Sequence, residues 1–323
     1  MKIIAEVSSN WHTLEDCLRS IELAREANAH AVKFQLFTGY ELFGPTVDIK
    51  TFADIGKTPY MDRDWIPVLS AHAKRHEIEF MCTAFSVSGY EYIDPFVQTH
   101  KIASAEMTDI NILEAVNSFN KPVYISTAGS TIEEINAAVN MLHDCPVTIM
   151  FCVGDYPAKV IDFRKLDQLK AYFGANYSYG YSDHSIDVMN IPLIAKARGC
   201  TVIEKHVNFT MHKDTNDALH SLSFSEFMLM NRAIMDEWIS TDEVELHAND
   251  MMKRLYRRKL IVTRDIKAGE KFKYNDNVYI YRPQKVVHDA ISPFQLSDME
   301  GKVSSRDKFV GEVVTYDDIE VEV

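Results

Sequence analysis

Residues 177–207 read YSYGYSDHSIDVMNIPLIAKARGCTVIEKHV. Two short apolar runs bound this stretch, Tyr177–Asp183 and Thr201–Val207. Each meets polar groups at its carboxyl end: Ser182, Asp183 and His184 on the first, Glu204, Lys205 and His206 on the second. Runs of this length and make-up predict buried parallel strands. Ionisable groups in such strands are costly unless they are paired or used. Six runs of the same kind precede this stretch: Lys2–Val7, His30–Phe37, Ile78–Phe85, His100–Ser104, Pro122–Thr127 and Val147–Val153. Helical patterns separate most of them. After Thr13, the residues Leu14, Cys17, Leu18, Ile21 and Ala24 mark one face. Ser130-Thr131-Ile132-Glu133 reads as a capping box, followed by an apolar face of Ile132, Ile135, Val139 and Leu142.

Eight strands alternating with helices predict an α/β fold, a (β/α)8 TIM barrel, whose usual size is about 250 residues. A doubly wound open sheet is the rival, but the Gly-rich turn it needs after the first strand is absent. A barrel places its chemistry at the carboxyl ends of its strands. Standing there are Glu6, then Lys33 and Gln35, Thr83, then Lys101, Ser104 and Glu106, then Ser126 and Thr127, then Asp155 and Tyr156, ahead of the six groups already named. One such residue reads as a satisfied core group; a ring of them on eight strands reads as a site.

The barrel is expected over residues 1–240 and a polar, charged linker over 241–256. The last segment, 257–323, is expected to form a small, mostly β domain. Within it the chain echoes itself: Asp265, Gly269, Glu270, Tyr274 and Asp276 match Asp307, Gly311, Glu312, Tyr316 and Asp318 at identical offsets. Gly-Glu between β-branched pieces suggests turns related by a pseudo-twofold axis.

The chain has 323 residues, 46% of them apolar, and 34 basic against 47 acidic side chains give a net charge of −13. That balance argues against coating nucleic acid or an anionic membrane, though not against a basic pocket. Cys17, Cys82, Cys145, Cys152 and Cys200 are odd in number and lack any metal-finger spacing. No apolar run reaches the roughly 18 residues of a membrane span, and Glu6 interrupts the first run before a signal core could form. A soluble, reduced, cytoplasmic protein is expected.

Taken in order, IIAE at 3–6, AVKFQ at 31–35, KIAS-A-E at 101–106, ISTAG at 125–129, GYSDH at 180–184, IEKH at 203–206 and RP at 282–283 resemble the N-acetylneuraminate (sialic acid) synthase family, which includes pseudaminic and legionaminic acid synthases. The resemblance implies a barrel that condenses phosphoenolpyruvate with a sugar aldehyde, followed by a SAF domain, a β-clip similar to type III antifreeze protein. It implies that Lys33, Lys101, Thr83, Ser104, Ser126 and Ser182 hold phosphoenolpyruvate. The two lysines are read as sitting on neighbouring strands. His184 and His206, ending adjacent strands, would bind a divalent metal, manganese in the family, although these ligands also admit magnesium, cobalt or zinc. Glu106 is the first choice for general acid or base, with Glu6 and Asp217 beside it. Gln35, Tyr156, Asp217 and Arg282 match sugar contacts, and Arg282 would reach the barrel of a partner in a domain-swapped homodimer.

Plainer readings stand beside these. The lysines could pair with Glu204 and Glu106, either histidine could be a core residue, Asp217 could be an exposed loop residue and Arg282 a surface one. The chain also departs from the family pattern. Asn10-Trp11-His12-Thr13 replaces Asn-His-x-Gly, Gly154 stands where Asn is common, and Leu36 where Thr is common. Gln284-Lys285-Val286-Val287-His288 follows Arg282-Pro283. These changes fall on the sugar side, so the acceptor could be N-acetylmannosamine, a 6-deoxy diacetamido hexose or a less decorated aldose. A shorter keto-acid synthase, or a binding protein that has lost turnover, are the alternatives.

Overall fold

The computed structural model describes residues 1–44, 60–209, 215, 217–235, 257–283, 287 and 289–320. The expected linker at 241–256, Lys213, Asp214 and Asn216, and all of the 284–288 insertion except Val287 lie outside the described residues. Eight parallel strands alternate with helices, as the periodicity predicts: β1 (Lys2–Ser8), β2 (Ala31–Leu36), β3 (Glu79–Ala84), β4 (His100–Ile102), β5 (Val123–Ser126), β6 (Val147–Cys152), β7 (Ser178–Asp183) and β8 (Val202–Asn208). Their hydrogen-bonded order is β3-β2-β1-β8-β7-β6-β5-β4, and β3 meets β4 at the seam, so the barrel is nearly closed.

Around it lie α1 (Leu14–Glu26), α2 (Gly39–Phe43), α3 (Trp65–Arg75), α4 (Val87–Ile93), α5 (Ile110–Ser118), α6 (Ile132–Met141), α7 (Arg164–Phe173), α8 (Asn190–Ala197) and α9 (Phe224–Met235). Thr13 caps α1 in a reciprocal box with Asp16, and Cys17, Ile21 and Ala24 are buried on its inner face. The cap of α6 falls one residue later than Ser130–Glu133. Thr131 Oγ1 accepts from Glu134 N at 3.2 Å and Glu134 Oε2 accepts from Thr131 N at 2.8 Å. Ser130, released from that role, accepts from Arg257 Nη2 at 2.7 Å.

Successive strand side chains point to opposite faces, and this period of two sorts the barrel into two layers. Ile3, Ala5, Val32, Phe34, Phe80, Ile125, Phe151, Tyr181 and Ile203 face the helices in the main core. Ile4, Ala31, Met81, Tyr124, Met150 and Val202 form a separate cluster inside the barrel. Gly180 belongs to this inner floor. A Cβ there would stand 2.9 Å from Val202 O and 3.3 Å from Met150 Cγ, so only glycine fits. Two residues further along the same strands, the inward positions turn polar: Glu6, Lys33, Thr83, Ser126, Cys152, Ser182 and Glu204.

The C-terminal segment pairs β10 (Lys259–Val262) with β11 (Val278–Tyr281) antiparallel, after the short β9 (Leu222–Ser223) that adds to β8. The internal echo is a structural one. Val310 N donates to Asp265 Oδ1 at 3.0 Å and Ala268 N to Asp307 Oδ1 at 2.9 Å, while Ile266 and Lys308 exchange backbone bonds at 2.9 and 2.8 Å. Gly269 and Gly311 take φ of 86° and 93° at equivalent turns. Leu260, Ile266, Phe272, Ile280 and Val314 give this unit its own core.

Arg257 and Arg258 open the unit and tie it to the barrel mouth. Arg257 Nη1 lies 2.5 Å from Glu134 Oε2, and Arg258 Nη1 lies 3.4 Å from Asp109 Oδ2. All five cysteines are free, and four of them are buried.

Candidate active site

The inward polar positions converge on one carboxylate. Lys33 Nζ lies 2.7 Å from Glu6 Oε2 and 3.6 Å from Glu204 Oε2, and donates to Thr83 Oγ1 at 3.1 Å. Lys101 Nζ lies 3.9 Å from Glu204 Oε1. Ser182 Oγ donates to the same Glu204 oxygen at 3.0 Å, and Gln35 Nε2 to Glu6 Oε1 at 3.2 Å. Both lysines are almost completely buried, 3% and 2% exposed.

The sequence reading puts the two lysines on neighbouring strands. They stand instead on β2 and β4, with β3 between them. They meet because the barrel interior is narrow enough for both to reach Glu204 from across it. The plainer reading of these lysines holds in part, since each is paired with a carboxylate, although not with Glu106.

Burial raises the Glu6 carboxyl to about 7, against the pull of Lys33 and with the help of Glu204's charge. Glu204 is buried too, but the two ammonium groups overcome that and hold it below its ordinary range. Burial lowers Lys101; Glu204 only partly restores it. Glu6 therefore exchanges its proton around neutrality while Glu204 stays ionised.

The raised value makes a stability prediction. Between the ordinary value of 4.5 and about 7, the native chain holds a proton at Glu6 that the unfolded chain has released. Stability from this group is thus full at low pH and lost as pH rises through 7. Glu6→Gln should unfold at nearly the wild-type temperature at pH 4.5 and at a higher one at pH 8. Melting curves at the two pH values check this, and a gap that widens toward acid would refute it.

On the next wall, three imidazoles gather. His184, just after β7, donates Nδ1–H to Val153 O at 2.7 Å, which leaves Nε2 as an acceptor. The His184 and His206 ring centroids are 5.5 Å apart, and the Tyr156 ring stacks on His184 at 4.1 Å. Burial and the neighbouring imidazoles hold His184 and His206 well below the usual histidine range, so both are neutral. A neutral imidazole is the form that ligates metal. His206 Nδ1 is buried with no hydrogen-bond partner among the described residues. This donor set fits a divalent transition-metal ion.

Asp217 is half-buried and not simply an exposed loop residue. Its Oδ2 accepts from Ser8 Oγ and its Oδ1 lies 3.2 Å from His220 Nε2. Neither Ser8 nor His220 stands out in the sequence reading. Asp217-x-x-His220, three residues apart and downstream of the EKH segment, is the signal that could have found the histidine.

Of the remaining candidates, Ser104 accepts from Ala128 N at 3.0 Å, and Ser126 Oγ is buried without a partner among the described residues. Burial pushes the Cys152 thiol, which lies against Ser182, Ser104 and His184, up to about 12, so it stays protonated. Glu106 is fully buried. It is clamped by Arg282 Nη2 at 2.6 Å and Nε at 3.0 Å, with Arg258 Nε at 3.6 Å. Arg282 is expected in a partner's barrel; here it reaches Glu106 of its own chain. The arginine anchors at 257 and 258 set the C-terminal unit over this mouth, and Arg282 N donates to Leu42 O at 2.8 Å.

The GYSDH and EKH segments also contain a pair that faces away from the site. Lys205 Nζ lies 2.7 Å from Asp183 Oδ2, and both side chains are completely buried. Alternation explains it. Ser182, Glu204 and His206 point inward, so Asp183 and Lys205 between them point toward the helices.

The altered first loop is a packing feature. Trp11 is buried, edge-on to Trp65 at 5.4 Å, and Asn10 Nδ2 holds Val207 O at 3.0 Å.

Comparison with known proteins agrees with this architecture. A model of the NeuB family matches residues 20–245, and one of the SAF domain matches residues 257–320. The pseudaminic acid synthase of Campylobacter jejuni is 28% identical over 98% of this chain and 96% of its own. The crystal structure of the spore coat polysaccharide biosynthesis protein SpsE from Bacillus subtilis superposes with a TM-score of 0.84. It is 25% identical and covers 100% of this chain and 96% of its own. The N-acetylneuraminic acid (sialic acid) synthetase of Leptospira borgpetersenii, solved with citrate, gives a TM-score of 0.67 at 28% identity, over 78% of this chain and 88% of its own.

Proposed function

Because the chain belongs to the NeuB family, we propose that it is a nonulosonate synthase. It would join phosphoenolpyruvate to an open-chain N-acylated amino sugar, giving a nine-carbon α-keto acid and phosphate. The observation that supports this most is the convergence of Lys33 and Lys101 on Glu204, whose strand also carries His206. A trianionic three-carbon donor needs that density of buried positive charge. On entry, its phosphate and carboxylate take over both ammonium groups from Glu6 and Glu204. The hydroxyls of Ser126, Ser104, Ser182 and Thr83 complete the anion's hydrogen bonds.

The C3 carbon of phosphoenolpyruvate attacks the aldehyde carbon, and the aldehyde oxygen takes up a proton. Water adds at C2 and releases a proton. The tetrahedral intermediate then expels phosphate by C–O cleavage and leaves the ketone. Held beside His184, His206 and Asp217, a divalent ion, manganese in this reading, would polarise the aldehyde. Glu6, poised near neutrality, is suited to carry the transferred proton. Glu106, clamped by Arg258 and Arg282, keeps Arg282 turned into the mouth, where its remaining donors face the sugar with Gln35, Tyr156 and Asp217. A homodimer that exchanged the C-terminal unit would remake the Arg282–Glu106 contact between copies. Among the described residues no helix is long and apolar enough to cross a membrane, and the reading places the reaction in the cytoplasm.

The test is phosphate release from phosphoenolpyruvate with manganese and a panel of N-acyl hexosamines, with the product mass measured. Stoichiometric phosphate and a nine-carbon keto acid are expected with at least one sugar. Tight phosphoenolpyruvate binding without release for any sugar would leave a binding protein instead.

A further inference from the structure

We propose that His220 is a third imidazole ligand of the metal. This chain would then grip a divalent transition-metal ion through four side chains, His184, His206, His220 and Asp217, and retain it without substrate. The inference rests on the metal part of the reading above and not on the condensation.

One ligand atom each from His206, Asp217 and His220 lies within 4.8 Å of the others, the span of a single coordination sphere. Both histidines are buried, 5% and 4% exposed. His206 Nδ1 lacks a hydrogen-bond partner among the described residues, while His220 Nε2 stands 3.2 Å from Asp217 Oδ1. An unpartnered ring nitrogen in a buried site is costly, and an ion held among the three side chains satisfies it. The His220 ring stands 4.7 Å from His206 and 4.7 Å from Tyr156, which also stacks on His184, so the three imidazoles surround one tyrosine.

The local chain is built to hold this geometry. Asp217 caps a 3-10 turn, Ala218–His220, that ends on His220, and residues three apart in such a turn lie on one side. Immediately afterwards β9 pairs with β8, Leu222 beside Val207. Asn10 binds Ser221 Oγ at 2.9 Å and accepts from Thr215 Oγ1 at 2.6 Å. Ser8 Oγ fixes the other Asp217 oxygen. His220 is thus carried by paired backbone and not by a free loop.

Three imidazoles and one carboxylate suit cobalt, zinc or iron better than magnesium. A rival cluster exists at the surface, Glu22 with His72 and His76, so the test must tell the two apart.

The experiment is a cobalt titration of the full chain, read by its visible absorption and by metal content after desalting. Wild type should keep one equivalent, and His72→Ala should behave likewise. His220→Phe, which preserves the aromatic packing, should lose affinity by about 100-fold or more, the upper end of the effect of losing even an outer partner of a metal ligand. X-ray absorption of cobalt-loaded wild type, which needs no variant to fold, should count three imidazoles. Two imidazoles, or unchanged affinity and spectrum in His220→Phe, would overturn the inference. Loss of the retained ion in His72→Ala alone would place it at the surface cluster and overturn it equally. Phosphate release with unaffected metal binding in His220→Phe would sink this inference alone. Three imidazoles with no phosphate release would sink only the condensation.

Discussion

Lys205→Met is expected to lower the unfolding free energy by about 3–5 kcal/mol, the range for breaking a buried ion pair from one side. Lys205 and Asp183 are both 0% exposed and lie between barrel and helices. The same ammonium donates to Ser185 O at 2.6 Å and to Asp187 O at 3.0 Å, so it also shapes the turn that carries His184. Methionine fills the volume but leaves the Asp183 carboxylate buried without its counter-ion. The double variant Lys205→Met/Asp183→Asn should recover part of the loss. The amide oxygen introduced by Asp183→Asn can still accept from Ser185 N, which now donates to Asp183 Oδ1 at 2.8 Å. Urea unfolding of the two variants and wild type measures this, and a loss below about 1 kcal/mol, the upper end for an exposed pair, would contradict it.

Lys101→Met should give the opposite profile. Its Nζ is as deeply buried, but it faces inward, 3.9 Å from Glu204. Glu204 keeps Lys33 at 3.6 Å and Ser182 at 3.0 Å when Lys101 is gone, so the fold retains its pairing. What disappears is half of the positive charge awaiting the anionic donor. A fall in kcat/KM of about 10²–10³, the scale of losing one preorganised electrostatic contact, is expected together with weaker phosphoenolpyruvate binding. Calorimetry and phosphate release read the two effects. A variant that turns over normally would remove Lys101 from the site.

These two lysines show where sequence reading succeeds and where it stops. All eight strands are legible, because each is written in five to eight adjacent residues whose alternation depends only on the backbone's period of two. The ring of polar groups at their carboxyl ends is legible for the same reason. The α6 cap slips by one residue because Ser130-x-x-Glu133 and Thr131-x-x-Glu134 satisfy the same local pattern. Arg257, remote in sequence, accounts for where the spare serine goes.

The (β/α)8 architecture, the small β unit with its echoed turns, and the identity of nearly every inward polar residue were thus determined by the sequence alone, through short-range periodicity and turn chemistry. Tertiary structure alone decided that Lys33 and Lys101 meet at Glu204 across an intervening strand, that Arg282 closes on Glu106, and that His220 joins His206. Barrel closure brings the two lysines to Glu204, docking of the C-terminal unit brings Arg282 to Glu106, and the pairing of β9 with β8 folds His220 back beside His206.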